Sequence, residues 1–567
     1  MNASLLSALS AAISDNPVHV LQLRKIVVAL AISGRLNEVD ASIGREEILA
    51  LLGDVKRRLI SQRVLAKQKP IVAITRDQLP EDFIDPSKFV SLGHIARVEK
   101  GKTGIQQAKP GPYPLVVTAA ERITADHYDF DGAAAIIPLV SSTGHGNASI
   151  NRLHYQEGQF ALGTILAAVL PHDPALFSAR FLFEYLSAFK EELLVSRMSG
   201  TANVTLTFGR IEDVPVPLVP PVIQQQLDEL MALCDELEAA RTERETKRDR
   251  LAAASLARLN NPDPETFRDD ARFALDALLA VTARPDQIKQ LRQTILNLAV
   301  RGKLVPQDPA DEPAEELLKR IAIVKRGLVR AKKLKESKKI TNFISIRDAL
   351  ELPDTWRWAS CDELFFVTKL AGFEYTKHFE LKDQGDVPVI RAQNVRPWSI
   401  EERNLKYLPL KTSLILERSA VTKPSLLITF IGAGIGDVAL LETDRRWHLA
   451  PNVAKAELFE GCESLLNLKY AVLFLNSPIG RTEIFKHVKT TAQPSLSMGT
   501  IRDMDIVIPP LAEQYRIVAK VDELMALCDQ LETSLTSADE ARKKLLDALL
   551  AEALAPVDAE ALQEAAE

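Results

Sequence analysis

An eleven-residue segment occurs twice in this chain of 567 residues, and the repeat limits how the chain can fold. DELMALCDELE, Asp228 to Glu238, returns as DELMALCDQLE, Asp522 to Glu532, with a single substitution. In the second copy, apolar residues from Ile517 to Ala538 recur at alternating spacings of four and three. This rhythm is typical of the apolar seam of a coiled coil. The sequence therefore predicts one type of long helix that is used twice.

A second repeat precedes each half of the chain. LQLRKIVVALAISGRL, Leu21 to Leu36, matches KQLRQTILNLAVRGKL, Lys289 to Leu304. Each copy is an apolar helical segment that ends at a glycine, Gly34 or Gly302, in the position of a left-handed C-cap. The chain is thus a helical region, a variable domain and a long helix, followed by the same three parts again.

A proline pair precedes each long helix and predicts a turn from strand to helix, because proline prevents the helix from extending backward. The pairs are Pro220-Pro221 and Pro509-Pro510, and five fewer residues separate the first pair from the DELM motif. The two variable domains, roughly 87–220 and 352–510, differ in sequence, yet both show the mixed pattern of an α/β domain. A duplicated frame therefore carries two diverged domains.

Composition excludes several classes of protein. Hydrophobic residues make up 46% and charged residues 26%, as in a globular protein, and the length suggests three or four domains. No apolar run approaches the roughly 18 residues that span a membrane. The first residues, MNASLLSALSAAISDNP, are interpreted as a helix start rather than a signal peptide. The net charge of −6 excludes a uniformly basic surface but permits local basic faces.

Cysteine usage points to a reducing compartment. Cys234, Cys361, Cys462 and Cys528 are widely separated, with neither a CxxC pair nor clustered histidines. This arrangement disfavours a disulfide framework and predicts no metal site, so a cytoplasmic location is expected. Cys234 and Cys528 hold equivalent places in the repeat and are expected to be small core residues.

The repeated segments also resemble a known family. PPLAEQYRIVAKVDELMALCDQLE, Pro509 to Glu532, is similar to the helix shared by specificity subunits of type I restriction-modification systems. The matching helix at 220–238, both QLR segments and LPDTWRW, Leu352 to Trp358, fit the same family in order along nearly the whole chain. LPEDFIDPSKF, which begins at Leu79, departs from the family pattern because it lacks the tryptophans of LPDTWRW.

The resemblance implies a prokaryotic, cytoplasmic DNA-binding subunit without catalytic residues. In that family, two target-recognition domains each read one half of a split DNA site, and helical spacers bind two adenine-N6 methyltransferase subunits. These partners use S-adenosylmethionine, and the complex can also recruit restriction subunits that use ATP and Mg²⁺. The resemblance therefore implies double-stranded DNA and methyltransferase subunits as partners, no membrane, and no cofactor in this chain.

The expected fold class is α/β (α+β), with two mixed target-recognition domains separated by long antiparallel coiled-coil helices in an internal pseudo-twofold repeat. The expected regions are an N-terminal helical region (1–86), a first target-recognition domain (87–220), a central helical spacer region (221–351), a second target-recognition domain (352–510) and a C-terminal spacer helix (511–567). The seam residues expected at the spacer and subunit interface are Leu230, Cys234, Leu237, Leu524, Cys528 and Leu531.

Two other functions stay open. FIGAG, Phe430 to Gly434, satisfies the FxGxG pattern of S-adenosylmethionine-binding loops, which would make the chain a fused DNA methyltransferase. However, the following VALLETD is typical of a strand, and neither proline pair has the neighbours of a catalytic Asn/Asp-Pro-Pro-aromatic loop. The pattern favours a glycine hairpin, with STGHGN, Ser142 to Asn147, at the matching place in the first domain. The other alternative is a purely structural coiled-coil adaptor, which two unlike domains disfavour.

Candidates for reading DNA lie in polar segments of the variable domains. Arg and Lys can pair with guanine, and Asn and Gln with adenine, although the same side chains can equally contact phosphate or stabilise turns. The segments are EKGKTGIQQ, SSTGHGN and SRMSGTANVT in the first domain, and RAQNVRPW and KTTAQPS in the second. The candidates are Lys102, Thr103, Gln106, Ser142, His145, Asn147, Arg197, Asn203, Arg391, Gln393, Asn394, Arg396, Lys489 and Gln493.

A basic run lies outside these domains. KRIAIVKRGLVRAKKLKESKK, Lys319 to Lys339, could hold phosphate groups. The spacing favours instead an amphipathic helix with solvated cations and with Ile323, Leu328 and Leu334 facing inward.

Overall fold

Both repeats fold into helices in the computed structural model of this chain. It describes residues 16–36, 44–63, 74–80, 83, 85–143, 146–201, 203–261, 263, 265–335, 347, 350–378, 380–432, 434–485 and 495–555. The contacts divide the chain into two units: unit 1 lies within 1–246 and 536–567, and unit 2 within 247–535. Each unit contains one sheet-rich domain.

Helices precede, interrupt and follow the strands of both domains. Those up to the middle of the chain are α1 (Pro17–Ser33), α2 (Arg45–Ser61), α3 (Ala179–Ala188), α4 (Lys190–Leu193), α5 (Phe208–Glu212), α6 (Pro221–Asn260), α7 (Phe267–Asp276) and α8 (Leu278–Val281). Those that follow are α9 (Pro285–Val300), α10 (Ala314–Arg330), α11 (Cys361–Leu364), α12 (Gly372–His378), α13 (Leu410–Ile415), α14 (Leu468–Asn476), α15 (Pro478–Phe485), α16 (Met498–Asp503) and α17 (Leu511–Leu554). Within the described ranges, none combines the length and hydropathy that crossing a membrane requires.

The sheet-rich domain of unit 1 is built from two four-stranded sheets and one strand pair. Its strands are β1 (Phe89–Ser91), β2 (Ala96–Lys100), β3 (Tyr113–Val116), β4 (Ile123–Ala125), β5 (Phe130–Asp131), β6 (Ala134–Pro138), β7 (His154–Gln156), β8 (Gln159–Leu162), β9 (Leu166–Pro171) and β10 (Pro215–Pro217). The strand orders are β2-β9-β6-β7, β4-β3-β8-β5 and β1-β10, with β3 and β8 parallel. Alternate residues of β6 enter different cores, because Ile137 packs with the helices and Ile136 packs between the sheets.

The domain of unit 2 repeats this topology although its sequence is unlike. Its strands are β11 (Arg357–Ser360), β12 (Phe365–Lys369), β13 (Val387–Ile390), β14 (Val395–Arg396), β15 (Ser399–Ile400), β16 (Lys406–Leu408), β17 (Ala420–Val421), β18 (Ser425–Thr429), β19 (Val438–Leu441), β20 (Trp447–Leu449), β21 (Val453–Leu458) and β22 (Asp505–Ile508). The orders β12-β21-β18-β19, β16-β13-β20-β17 and β11-β22 match those of unit 1, and β13 and β20 form the parallel pair. The hairpin β14–β15 is an addition in the second domain. The mixed α/β fold class predicted from the sequence is confirmed.

A buried glutamine ties each long helix to its domain in the same way. Gln224 of α6 accepts a hydrogen bond from the backbone of Ser178 (2.9 Å) and donates to the carbonyl of Val219 (2.8 Å). Gln514 of α17 accepts from the backbone of Asn467 (2.9 Å) and donates to the carbonyl five residues before it (2.9 Å). Ser178 and Asn467 are the N-caps of α3 and α14. Gln224 and Gln514 are therefore structurally equivalent.

This equivalence changes the comparison of the two helices. Counted from the proline pairs, the first helix is five residues shorter up to the DELM motif, but counted from the glutamines it is four residues shorter. Five residues would rotate the motif by about 140°, whereas four rotate it by only about 40°. The first helix therefore lacks one turn and keeps the same face toward its own core.

An arginine clamp marks the DELM motif in both units. Arg24 of α1 contacts Asp235 (2.5 Å) and Glu238 (3.3 Å) of α6. Arg292 of α9 contacts the equivalent Asp529 and Glu532 of α17, at 2.7 Å and 3.0 Å. Partly exposed pairs of this kind add little stability, but their repetition shows that the two sequence repeats build the same local structure. The predicted internal repeat is confirmed.

Each long helix contributes to both units. α6 begins in unit 1, where Leu227 and Met231 are fully buried, and ends in unit 2, where Leu256 packs in a small core. α17 begins in unit 2 and ends in unit 1, where Leu546 is fully buried. α6 therefore runs from unit 1 into unit 2, and α17 runs from unit 2 into unit 1.

Several cations of the basic run contact acidic groups. Lys319 is exposed and contacts two glutamates of its own helix, which agrees with the expected solvated helix face, whereas Lys325 is only 20% exposed and contacts Asp362 at 2.6 Å. The inward face differs from the prediction, because Ile323 is exposed while Ile321 is buried. Residues 336–339 of the run lie outside the described residues.

Unit 1 is expected to lose stability in mild acid. Burial lowers the pKa of His94, His154 and His172 to about 4 each. Since an unfolded histidine titrates near 6.5, the unfolded chain takes up protons as the pH falls from about 6.5 to about 4 while the folded chain does not. The urea midpoint should therefore fall between about pH 7.5 and pH 5, and His172→Gln should reduce that fall. Equal midpoints at both pH values would contradict this expectation.

Candidate nucleic-acid interface and docking surface

Two of the predicted polar loops meet in the first domain. The backbone of Ser141 donates to the carbonyl of Val204 (2.9 Å), which joins SSTGHGN to the end of SRMSGTANVT. Gly146 has φ of +80°, and a Cβ there would lie 2.9 Å from the carbonyl of Thr201, so the loops approach closely. The exposed candidates on these loops are Ser142, Asn147 and Asn203. His145 lies outside the described residues.

EKGKTGIQQ is held against the sheet by its threonine. Thr103 is 4% exposed, and its hydroxyl donates to Asp129 (2.8 Å) and contacts His127 Nε2 (2.9 Å). This corrects the prediction for Thr103, because a buried and paired hydroxyl fixes the loop and is unavailable to a base. Lys102 and Gln106 are exposed, and the Lys102 ammonium lies 5.3 Å from the ring centre of Phe130.

Arg197 also serves the fold rather than the surface. Its guanidinium donates to the carbonyls of Glu192 (3.1 Å), Leu193 (2.9 Å) and Gln78 (3.0 Å). Burial lowers the pKa of Arg197 from its usual value. Because three carbonyls already occupy its donors, the geometry does not support the predicted base-reading role.

The same pair of loops recurs in the second domain. Strands β18 and β19 pair antiparallel, so the residues around FIGAG form the connection of a hairpin, as predicted, and not a strand-to-helix cofactor loop. Ile431 bridges to Ser495, and the backbone of Leu496 donates to the carbonyl of Phe430 (2.9 Å). KTTAQPS therefore ends beside the glycine hairpin, as SRMSGTANVT ends beside SSTGHGN. Lys489 and Gln493 lie outside the described residues.

RAQNVRPW lines an open cleft of about 620 Å³ in unit 2. Its lining residues are Tyr375, Leu381, Arg391, Ala392, Gln393, Arg396, Gly434, Ala450, Pro451 and Asn452. Gln393 is exposed, and Arg396 is partly exposed with its Nε 3.4 Å from Glu401. Arg391 donates to the carbonyl of Asn404, while its Nε is buried without a hydrogen-bond partner among the described residues. The cleft thus presents several donors that a ligand could engage.

Asn394 does not belong to this surface. It is 1% exposed, and its amide donates to the carbonyls of Glu401 (2.8 Å) and Arg403 (3.1 Å) while its oxygen accepts from the backbone of Arg391 (3.2 Å). This corrects the prediction for Asn394, which shapes the loop that carries Arg391.

Some residues that line the cleft were not predicted from the sequence. Tyr375 and Asn452 come from distant segments that only the fold brings together. Trp398 of RAQNVRPW does not line the cleft and is 44% exposed, with φ of +75°, at the turn of β14–β15. A left-handed backbone at a tryptophan costs energy, and a hydrogen bond from its backbone to the carbonyl of Val438 (3.1 Å) helps to hold it.

The predicted interface residues divide into two groups. Cys234 and Cys528 are 3% and 2% exposed and face their own cores, and burial raises the pKa of both thiols. The leucines lie nearer the surface. Leu230, Leu524 and Leu531 are half-buried, and Leu237 is 43% exposed.

Two further leucines beside them are more exposed than those that pack against the cores. Leu233 is 54% exposed and Leu527 is 48% exposed, at equivalent positions of the repeat. With their neighbours they form a spacing of three and four on one side of each helix. We call these residues the leucine stripes: Leu230, Leu233 and Leu237 on α6, and Leu524, Leu527 and Leu531 on α17. The signal was present in the sequence, because an identical apolar residue in both copies that does not fit the seam is a candidate for a second face.

Comparisons with known proteins find similarity to one kind of protein. Residues 353–538 match the family model of the type I restriction modification DNA specificity domain. The EcoEI specificity subunit of Escherichia coli is 27% identical over 94% of this chain and 93% of its own, and the EcoAI specificity subunit of Escherichia coli is 26% identical over 93% and 92%. Among solved structures, an HsdS subunit from Thermoanaerobacter tengcongensis has a TM-score of 0.40 at 13% identity, covering 85% of this chain and 99% of that one. A second, from a type I restriction-modification complex, has a TM-score of 0.47 at 13% identity and covers 82% and 97%.

The chain thus carries two domains of one topology on a duplicated helical frame. Along nearly its whole length the chain is similar to specificity subunits of type I restriction enzymes, and residues 353–538 match the DNA specificity domain of that family.

Proposed function

We propose that this chain is the non-catalytic DNA-recognition subunit of a type I restriction-modification complex. Each sheet-rich domain reads one half of a split site in double-stranded DNA. The observation that carries this proposal is the shared topology of two domains whose sequences differ. Each domain is attached to its own long helix, and both helices carry the same arginine clamp. A duplicated frame conserves the attachment, while divergence of the exposed loops allows two different base sequences to be read.

The loops that pair in each domain are the favoured DNA-contacting surface. In the second domain, the cleft brings guanidinium groups of Arg391 and Arg396 beside the amide of Gln393. Such donors match the acceptors of guanine and the mixed pattern of adenine in the major groove. In the first domain the exposed loops that pair carry Ser142 and Asn147, so the two halves of the target are expected to differ.

Arg391→Ala tests this assignment. Loss of a base-reading side chain should cost about 1–3 kcal/mol at a single base position of the half read by the second domain. The first half should be unchanged. The measurement is selection of random duplexes by the assembled complex, followed by sequencing. Arg357→Ala is the matched control, because Arg357 is a partly exposed arginine of unit 2 that lies outside the cleft.

The leucine stripes are the proposed docking sites for two adenine-N6 methyltransferase subunits. Their supporting observation is that almost identical stripes occur twice, each with a leucine about half exposed at its centre, so one type of partner can bind twice. S-adenosylmethionine would be bound by those partners, and ATP and Mg²⁺ by restriction subunits that join the complex. The complex would act in the cytoplasm of a prokaryote.

A fused methyltransferase is the alternative that the hairpin disfavours. β18 runs into the glycines and β19 leaves them as its antiparallel neighbour, so no helix N-terminus faces a cofactor there. The isolated chain should therefore transfer no methyl group from S-adenosylmethionine to DNA. Methylation by the purified chain without a partner would favour the alternative.

A further inference from the structure

The two long helices span different lengths between equivalent attachment points. One point is the glutamine that ties the helix to its sheet-rich domain, and the other is the aspartate that holds the clamp arginine. Eleven positions separate Gln224 from Asp235 on α6, whereas fifteen separate Gln514 from Asp529 on α17. The difference is four residues, or one helical turn.

One additional turn shifts the stripe along the helix axis but leaves it on nearly the same side of the helix. Four residues advance a helix by about 6 Å and rotate it by about 40°. The side-chain environments agree, because Cys234 and Cys528 are both buried and Leu233 and Leu527 are both exposed. The leucine stripe of α17 therefore faces the same way as that of α6 but lies about 6 Å farther from the glutamine tie.

The helices that pack beside α6 and α17 keep their position relative to the leucine stripe and not relative to the sheet-rich domain. In unit 1, α1 packs on α3, the helix whose N-cap is tied by Gln224. In unit 2, α9 packs on α14 and reaches α15, the next helix along the chain. The added turn of α17, residues 518–521, also lines an open groove through Val518 and Ala519. The displacement is therefore built into the packing of unit 2.

We propose that this one-turn difference sets a separate distance between reading domain and docked methyltransferase in each half of the complex. The proposal rests on the function proposed above. A partner held on the α17 stripe would approach DNA about 6 Å farther from the bases read by its own domain than a partner held on the α6 stripe. Since base pairs are 3.4 Å apart, this corresponds to about two base pairs. Each half is thereby adjusted to the position of its own target adenine.

The test makes the two helices equal in length. Insertion of Val-Ala-Lys-Val after Leu227, a copy of residues 518–521, adds one turn to α6. The assembled complex should still bind two partners and both half-sites. Methylation in the first half should move by about two base pairs, or fall at least tenfold where no adenine lies at the new place. The second half should be unchanged. Removal of residues 518–521 should give the reciprocal result in the second half.

The readout is the number of base pairs between the methylated adenine and the bases read in the same half, obtained by strand-resolved sequencing. Insertion of two residues after Leu227 is the control, because a rotation of about 200° should remove one partner from the complex in native mass spectrometry. Unchanged methylation of the first half in a one-turn variant that carries two partners would overturn the inference. Loss of a partner from that variant would also count against it. Failure of the unaltered complex to methylate any split site would instead refute the proposed function.

Discussion

Exchange of residues 87–220 for the equivalent domain of a relative is expected to change one half of the DNA target and leave the other half intact. The junctions favour a clean exchange. β1 and β10 pair side by side, so the chain enters and leaves the domain at one place. Gln224 holds the domain through the backbone of Ser178 and the carbonyl of Leu176, which a different sequence can supply equally well. The base sequence that is recognised in that half should therefore be the one read by the inserted domain.

The reciprocal exchange of residues 352–510 is the matched control and should change only the other half. β11 and β22 pair at its junctions in the same way, and Gln514 makes the equivalent backbone contact. Each chimera should retain affinity for its own new site within about tenfold, since phosphate contacts supply much of the binding free energy. If either exchange altered both halves together, the two domains would be reading DNA as one coupled surface.

Replacing Leu233 and Leu527 with aspartate is expected to strip the complex of its methyltransferase partners. Both side chains are about half exposed in the chain by itself, so the substitutions should leave its thermal unfolding nearly unchanged. At a docked interface, a buried and unpaired carboxylate is costly, and loss of a central anchor costs about 2–4 kcal/mol, or roughly 30- to 1000-fold in affinity. Each single substitution should remove one partner, and the double substitution both.

Native mass spectrometry of the reconstituted complex measures this stoichiometry directly. Leu545→Asp is the matched control, because Leu545 is 40% exposed on α17 but lies outside the stripe. It should leave two partners bound. Assembly of the double variant with two partners would show that the docking surface lies elsewhere on the chain.

The repeated segments made the helices predictable from sequence. The spacing of apolar residues indicated the buried side of α17, where Ile517, Val521 and Cys528 are buried, and the glycines after the QLR segments indicated where α1 and α9 end. These features are local, so the residues that determine them are neighbours along the chain. The shared topology of the two domains was not predictable in this way, because strand order depends on contacts between distant segments.

The roles of individual residues at the proposed DNA-contacting surface were harder to predict from sequence. Thr103 and Asn394 have the polar character of base-reading residues, yet both are buried and hydrogen-bonded within their loops. The same donors and acceptors that recognise a base also satisfy a turn, and only burial distinguishes the two uses. The true length difference between the two long helices could not be found from sequence for a similar reason. Gln224 becomes the reference point for counting residues only once its contact with Ser178 is known.

The central claim is that two independent domains read two halves of one site. The most direct measurement is selection of random duplex DNA by the complete complex, followed by sequencing of the bound fraction. The predicted result is a split motif: two short specified segments separated by an unspecified gap of fixed length. A single continuous motif, or binding without sequence preference, would contradict the account.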